Sequence, residues 1–203
     1  MKIFCIGRNY VDHIEELKNE KPDEPVIFLK PDTAMLRRNR PFYIPSFTNS
    51  LHYEVELVLK IEKVGKNISR KFASRYYSSV GIGIDFTARD LQDKLKAKGL
   101  PWEKAKAFDY SAAFSDRFLS LADLDKENIA FHLDINGETR QQGNSAQMIF
   151  PFDELIMHIS NYFSIKTGDL IFTGTPSGVG PVKINDRLQA YIGDQKLMDF
   201  MIK

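Results

Sequence analysis

Apolar side chains recur at every second position from Leu51 through Tyr53, Val55, Leu57 and Leu59 to Ile61, the pattern of a strand that buries one face. The same register puts Glu54 and Glu56 together on the other face, roughly 7 Å apart along the chain. A second strand is predicted over Ser79–Phe86, with Ile82, Ile84 and Phe86 on one side and Gly81, Gly83 and Asp85 on the other. Its two glycines admit two readings. They leave open space for a ligand beside Asp85, or they let a neighbour pack tightly while Asp85 caps the helix that follows.

Further strands are expected at residues 2–6, 26–29, 169–173, 187–192 and 196–202. Residues 129–135 alternate cleanly, and Asn136-Gly137 signals a hairpin into a strand starting near Thr139. Residues 10–20 carry helix-like spacing of Ile14 and Leu17 but are too polar for a core helix. One helix is expected after Thr87, with Asp90 three residues on as a capping box and Gly99 and Pro101 as the stop. Another runs from Pro151 to about Tyr162, with Phe152, Leu155, Ile156 and Ile159 on its apolar face. Many strands against two firm helices, without regular strand–helix alternation, predict a strand-rich α+β fold with a mixed, mostly antiparallel sheet.

A chain of 203 residues is long enough to bury a substantial core as a single domain spanning residues 1–203. Its net charge of +1 argues against a nucleic-acid or acidic-membrane partner. The cluster Arg37-Arg38-Asn39-Arg40 reads as a solvated loop or, less simply, as a phosphate-binding patch. Cys5 is the only cysteine, which excludes an internal disulfide and a thiolate metal cluster and suits a reducing, cytoplasmic setting. No apolar run approaches the roughly 20 residues of a membrane span, and residues 1–6 are too short for a signal peptide.

Adjacent anions on a buried face repel one another and lose hydration, and a cation between them offsets both costs. Glu54, Glu56 and Asp85, with no spare cysteine, therefore point to an all-oxygen site for a hard divalent ion, Mg²⁺ or Mn²⁺ with Ca²⁺ as a further candidate. Lys104 and Lys106 are either solvated surface residues or a charge that stabilises an oxyanion beside the metal. His13 and Glu16, three apart in a helical turn, form either a surface pair or an imidazole–carboxylate base. The loop 173–181 lacks the Gly-Lys-Ser/Thr ending of a nucleotide P-loop, yet can offer backbone N–H groups and the Thr175 hydroxyl to an anion.

Five blocks occur together in order: Gly7-Arg8-Asn9-Tyr10 with Asp12-His13; residues 51–57; Asp85-Phe86-Thr87-Ala88-Arg89-Asp90-Leu91-Gln92; Gly99-Leu100-Pro101-Trp102 with Lys106; and Thr173-Gly174-Thr175-Pro176 with Gly178-Val179-Gly180. In this the chain resembles the fumarylacetoacetate hydrolase family, in its short, single-domain acylpyruvate hydrolase and oxaloacetate decarboxylase branch. The resemblance implies a mixed β-sheet roll of the family's C-terminal-domain type, commonly a homodimer. By position it implies Glu54, Glu56 and Asp85 as metal ligands and Lys106 as the active-site lysine. His13 and Glu16 match a dyad on a lid at residues 10–20, and Arg89, Gln92 and Thr175 match substrate contacts. The implied activity is Mg²⁺-dependent hydrolysis of a C–C bond in acylpyruvate-type 2,4-dioxo acids. The alternatives are oxaloacetate decarboxylation or tautomerisation, isomerisation of unsaturated dicarboxylic acids, and a non-catalytic metal-binding or ligand-sensing dimer. The basic segment 37–40 and Asp116-Arg117-Phe118 depart from the family's pattern without removing a site residue.

Overall fold

The computed structural model describes residues 1–16 and 21–203, the side chains of residues 13–15 excepted. In chain order the first elements are β1 (Ile3–Gly7), α1 (Val11–Glu16), β2 (Val26–Lys30), β3 (Met35–Leu36), β4 (Leu51–Tyr53) and β5 (Val55–Lys60). There follow β6 (Ser79–Asp85), β7 (Thr87–Ala88), α2 (Arg89–Ala97), α3 (Glu103–Lys106), β8 (Ala112–Phe114) and β9 (Leu119–Ser120). The last are β10 (Ala130–Ile135), β11 (Glu138–Asn144), α4 (Phe152–Tyr162), β12 (Leu170–Phe172), β13 (Gly180–Pro181), β14 (Arg187–Ile192) and β15 (Gln195–Met201).

The strands form a large mixed sheet in the order β2-β1-β12-β5-β6-β8-β3, with β9 also paired to β6. A four-stranded antiparallel sheet, β11-β10-β14-β15, and a small sheet, β13-β4-β7, complete the strand-rich α+β fold. Pairing is antiparallel except at β1–β12 and β3–β8 among the described residues. The alternation of each strand decides which sheet face it supplies. Leu57, Leu59, Ile82 and Ile84 meet Phe131, Leu133, Leu188 and Ala190 of the second sheet in the main core, closed by Leu155, Ile156 and Ile159 of α4. The other face of the large sheet buries Ile3, Cys5, Val58 and Phe172. Among the described residues no helix is long and apolar enough to cross a membrane.

The expected strand across residues 51–59 is two strands. β4 pairs with β7 and β13, whereas β5 pairs with β6 and β12. The corner falls at Glu54, where the Val55 N–H is taken by Gln141 Oε1 at 2.9 Å and the Glu54 carbonyl accepts the Asp85 N–H at 2.8 Å. Both halves stay extended and bury the same register of side chains, so alternation runs through a change of hydrogen-bond partner.

Two further expectations are corrected. Thr87 does not cap α2, because it is paired in β7 with His52; Ala88 stands at the N-cap, and Asp90 instead accepts from Thr48 Oγ1 at 2.6 Å. Nor do Gly81 and Gly83 open space for a ligand. A Cβ on Gly83 would lie 2.6 Å from the Phe172 ring and 2.9 Å from the Ala113 carbonyl, and one on Gly81 would lie 2.9 Å from Phe118. Close packing, the second reading, accounts for both glycines. The helix stop and hairpin stand as expected: Gly99 ends the α2 segment at φ +62°, and Asn136 and Gly137 turn at φ +55° and +82°. The basic segment 37–40 is an exposed turn, with Arg38 and Asn39 at φ +62° and +50°.

Overpacking of this kind costs about 1–3 kcal/mol. Gly83→Ala is therefore expected to lower the unfolding free energy by that amount, read as a lower urea midpoint at an unchanged m-value, and an unshifted midpoint would refute the packing account.

Candidate active site

The corner between β4 and β5 and the end of β6 bring three acids together. Glu54, Glu56 and Asp85 are buried, and one carboxylate oxygen from each lies within 4.8 Å of the others. Alternation explains the convergence of Glu54 and Glu56, and Glu56 opposite Gly83 in the β5–β6 ladder brings Asp85 alongside. Gly174, at φ +101°, turns the loop after β12 inward so that its N–H donates to Glu56 Oε2 at 2.7 Å.

Cations interleave with these acids. Lys106 Nζ donates to Glu54 Oε2 at 2.7 Å, Asp85 Oδ2 at 2.9 Å and Thr87 Oγ1 at 2.6 Å. Lys106 is therefore a buried residue of the cluster, while Lys104 is exposed. Arg89 pairs with Glu54 Oε1 and donates to Gln92 Oε1. Lys30, missed in the sequence reading, pairs with the remaining oxygen, Asp85 Oδ1, at 2.7 Å. Its only sequence signal is its position two residues after Phe28 in an apolar run, which places both on one face of β2.

Burial alone pushes the Lys106 ammonium down, but Asp85 and Glu54 outweigh it and hold its pKa above the ordinary lysine value. Burial, then Asp85 and Glu54, push Glu56 well above the usual carboxylate range against the opposing Gly174 N–H. The donor set fits a hard divalent cation: all ligands are carboxylate oxygens, and burial and the neighbouring anions disfavour the Glu56 anion, which a cation would relieve.

A cleft of about 40 Å³ opens onto the acids, the scale of an ion with a water or so. It is lined by Arg8, Phe28, Arg89, Gln92, Lys96 and Thr175 among others. Arg8 sits in the left-handed region at φ +58°, next to a buried Asn9 that accepts from Phe150 N and donates to Thr173 O at 2.8 and 2.7 Å. Burial and the charges of Arg89, Arg8 and Lys106 lower the pKa of Lys96, so the mouth of the cleft is cationic. The Thr175 hydroxyl donates to Val55 O and accepts from Gln141 Nε2, both at 2.9 Å, which leaves one lone pair. Gln141 was also missed: it is the buried residue at the centre of β11, and nothing in the sequence marks it beyond that inward position.

Of the expected dyad, the His13 side chain lies outside the described residues, as do residues 17–20 of the expected lid. The Glu16 carboxylate accepts the Gly178 N–H at 3.1 and 3.2 Å, which ties α1 to the glycine-rich loop.

The sequence matches the profile of the fumarylacetoacetate (FAA) hydrolase C-terminal family over residues 2–202. The chain belongs to the fumarylacetoacetate hydrolase family. It is 41% identical over 201 residues to the mitochondrial oxaloacetate tautomerase of Bos taurus, covering 99% of this chain and 91% of that one. It is 42% identical over 189 residues to the oxaloacetate tautomerase of Escherichia coli strain K12, covering 92% and 86%. Among solved structures, a fumarylacetoacetate hydrolase family protein from Yersinia pestis CO92 matches with TM-score 0.95 and 39% identity over 100% of this chain and 93% of that one. Fumarylpyruvate hydrolase from Pseudomonas aeruginosa, in complex with Mn²⁺ and pyruvate, matches with TM-score 0.93 and 33% identity over 100% and 89%. The relatives are enzymes, and the named tautomerases favour the oxaloacetate alternative over acylpyruvate hydrolysis.

The raised Glu56 pKa means that the fold favours the protonated acid. The contribution of Glu56 to stability is therefore greatest below the ordinary glutamate value of about 4.3 and declines as pH rises from there toward the raised value. Glu56→Gln is expected to leave the metal-free protein no less stable at pH 7 while weakening Mn²⁺ binding at least tenfold. Calorimetry and thermal melts with and without Mn²⁺ would check this; unimpaired Mn²⁺ binding would remove Glu56 from the ligand set.

Proposed function

We propose that this protein is a metal-dependent oxaloacetate keto–enol tautomerase, acting on a small dianionic 2-oxo acid. The observation that carries the reading is Lys106, held as an ammonium between Glu54 and Asp85. Three carboxylates face Lys30, Lys106 and Arg89, so the buried formal charges cancel. A divalent cation on Glu54, Glu56 and Asp85 would then be balanced by a substrate of charge −2, and Arg8 and Lys96 at the mouth suit its distal carboxylate. Mg²⁺ is our first candidate, with Mn²⁺ or Ca²⁺ as substitutes. When bound, the cation supplies Lewis-acid polarisation of the 2-oxo group.

The chain's own residues do the rest. Arg89 and Gln92, linked to each other, orient the substrate, and the remaining Thr175 lone pair can accept from the hydroxyl of the enol form. Removal of a C3 proton moves charge onto O2, where the Lys106 ammonium opposes it and can donate the proton that completes the enol. We assign the C3 proton to His13, which the family resemblance pairs with Glu16 on a lid at residues 10–20. Hydrolysis of an acylpyruvate is the second reading, favoured by the fumarylpyruvate hydrolase match; there the dyad would activate water instead. We further propose residues 1–203 as one catalytic domain working as a homodimer. The reducing setting inferred from Cys5 fits a cytoplasmic location and equally a mitochondrial one.

The expected result is Mg²⁺-dependent interconversion of the enol and keto forms of oxaloacetate, followed by enol absorbance, with acetylpyruvate turned over more slowly. Excess EDTA abolishes it and leaves cooperative unfolding intact, because the core faces of the strands do not use the metal. Lys106→Met lowers kcat by about 10²–10³. Turnover of acetylpyruvate alone would move the assignment to hydrolase, and silence on both would favour a non-catalytic metal-binding dimer.

A further inference from the structure

Lys30 is the one cation of the cluster that does not line the cleft, and its side chain is fully buried. It ends β2, opposite Ile3 of β1, and reaches under the site rather than into it. Its Nζ meets Asp85 Oδ1 at 2.7 Å, Ser111 Oγ at 3.0 Å, the Ser111 carbonyl at 3.1 Å and the Lys106 carbonyl. Ser111 Oγ also donates to the Lys106 carbonyl at 2.9 Å, so the end of the short helix α3 is held from two sides.

We propose that Lys30 is a positioning residue that sets Asp85 and Lys106 relative to each other. Its ammonium occupies the Oδ1 side of Asp85, and Lys106 pairs with Oδ2. The same nitrogen fixes the backbone from which the Lys106 side chain springs, so carboxylate and catalytic ammonium are referenced to one point. A plain counter-charge would need only the Asp85 contact. The three further acceptors, two of them main-chain carbonyls, turn the charge into a geometric clamp of the kind that holds reacting groups in register. Arginine is a poor substitute, since its planar fork cannot direct three N–H groups at Ser111 Oγ and both carbonyls from one atom while holding its charge on Asp85 Oδ1.

This inference rests on reading the acidic cluster as the reaction site. Its test combines Mn²⁺ electron paramagnetic resonance on Lys30→Met, Lys30→Arg and Ser111→Ala with oxaloacetate kinetics at saturating Mn²⁺. Lys30→Met is expected to lower kcat about 100-fold with KM within about threefold, and Ser111→Ala to lower kcat about fivefold. Both alter the zero-field splitting of bound Mn²⁺. Lys30→Arg regains the Mn²⁺ affinity lost in Lys30→Met but not kcat. Full recovery of kcat by arginine would reduce Lys30 to a counter-charge and overturn the proposal. An unchanged Mn²⁺ spectrum and a kcat within twofold of wild type in Ser111→Ala would overturn it too, and this variant decides if Lys30→Met does not fold. A wild-type protein inert toward oxaloacetate would refute the tautomerase reading, while the Mn²⁺ spectra still decide the role of Lys30.

Discussion

Three carboxylates buried within 4.8 Å of one another are the constraint around which this molecule is organised. Unpaired, each would carry a desolvation penalty of several kcal/mol. The fold meets that demand with an ordered set of cations, each assigned to a particular oxygen. Lys30 takes one side of Asp85, Lys106 bridges its other side to Glu54, and Arg89 closes the far side of Glu54. Among the described residues Glu56 has no lysine or arginine as a direct partner, only the Gly174 N–H, and burial and the neighbouring anions raise its pKa well above the usual carboxylate range. Charge pairing thus leaves a deficit at one carboxylate, where a metal ion has most to gain.

The elements that deliver these groups are short and come from distant parts of the chain. A bend at Glu54 transfers the polypeptide from one sheet to another, and the glutamine that takes the freed Val55 N–H also holds Thr175 and the Pro176 carbonyl. Gln141 therefore couples the acidic corner to the glycine-rich loop. Asn9 does the same between the Gly7-Arg8 turn, the loop at Thr173 and Phe150. Polar side chains with both donors and acceptors suit such junctions, because they satisfy buried backbone groups where ladders end.

The family carries out more than one reaction, since tautomerases and hydrolases are both among its relatives. Enolate stabilisation is common to both chemistries, and the two differ in whether water attacks. In the proposed function the cluster of Lys106, Asp85 and Glu54 supplies the shared part.

The sequence alone determined the pattern-borne part of this protein. Two-residue alternation marked the core faces of β5 and β6 and placed Glu54 and Glu56 on one side, because strand geometry converts spacing directly into direction. The Asn136-Gly137 turn and the Gly99 stop were legible because left-handed backbone restricts residue choice. Ordered motifs also carried the family and the place of Lys106. Tertiary structure decided what pattern cannot encode, namely which backbone pairs with which and where a long side chain ends. It split residues 51–59 between two sheets, moved Thr87 from a helix cap to a strand, and used Gly81 and Gly83 for aromatic packing. It also brought Lys30 and Gln141 into the site. A lone lysine or glutamine in a strand looks the same in sequence whether its tip meets water or a buried carboxylate, and only the approach of chain segments 55 to 86 residues away distinguishes the two.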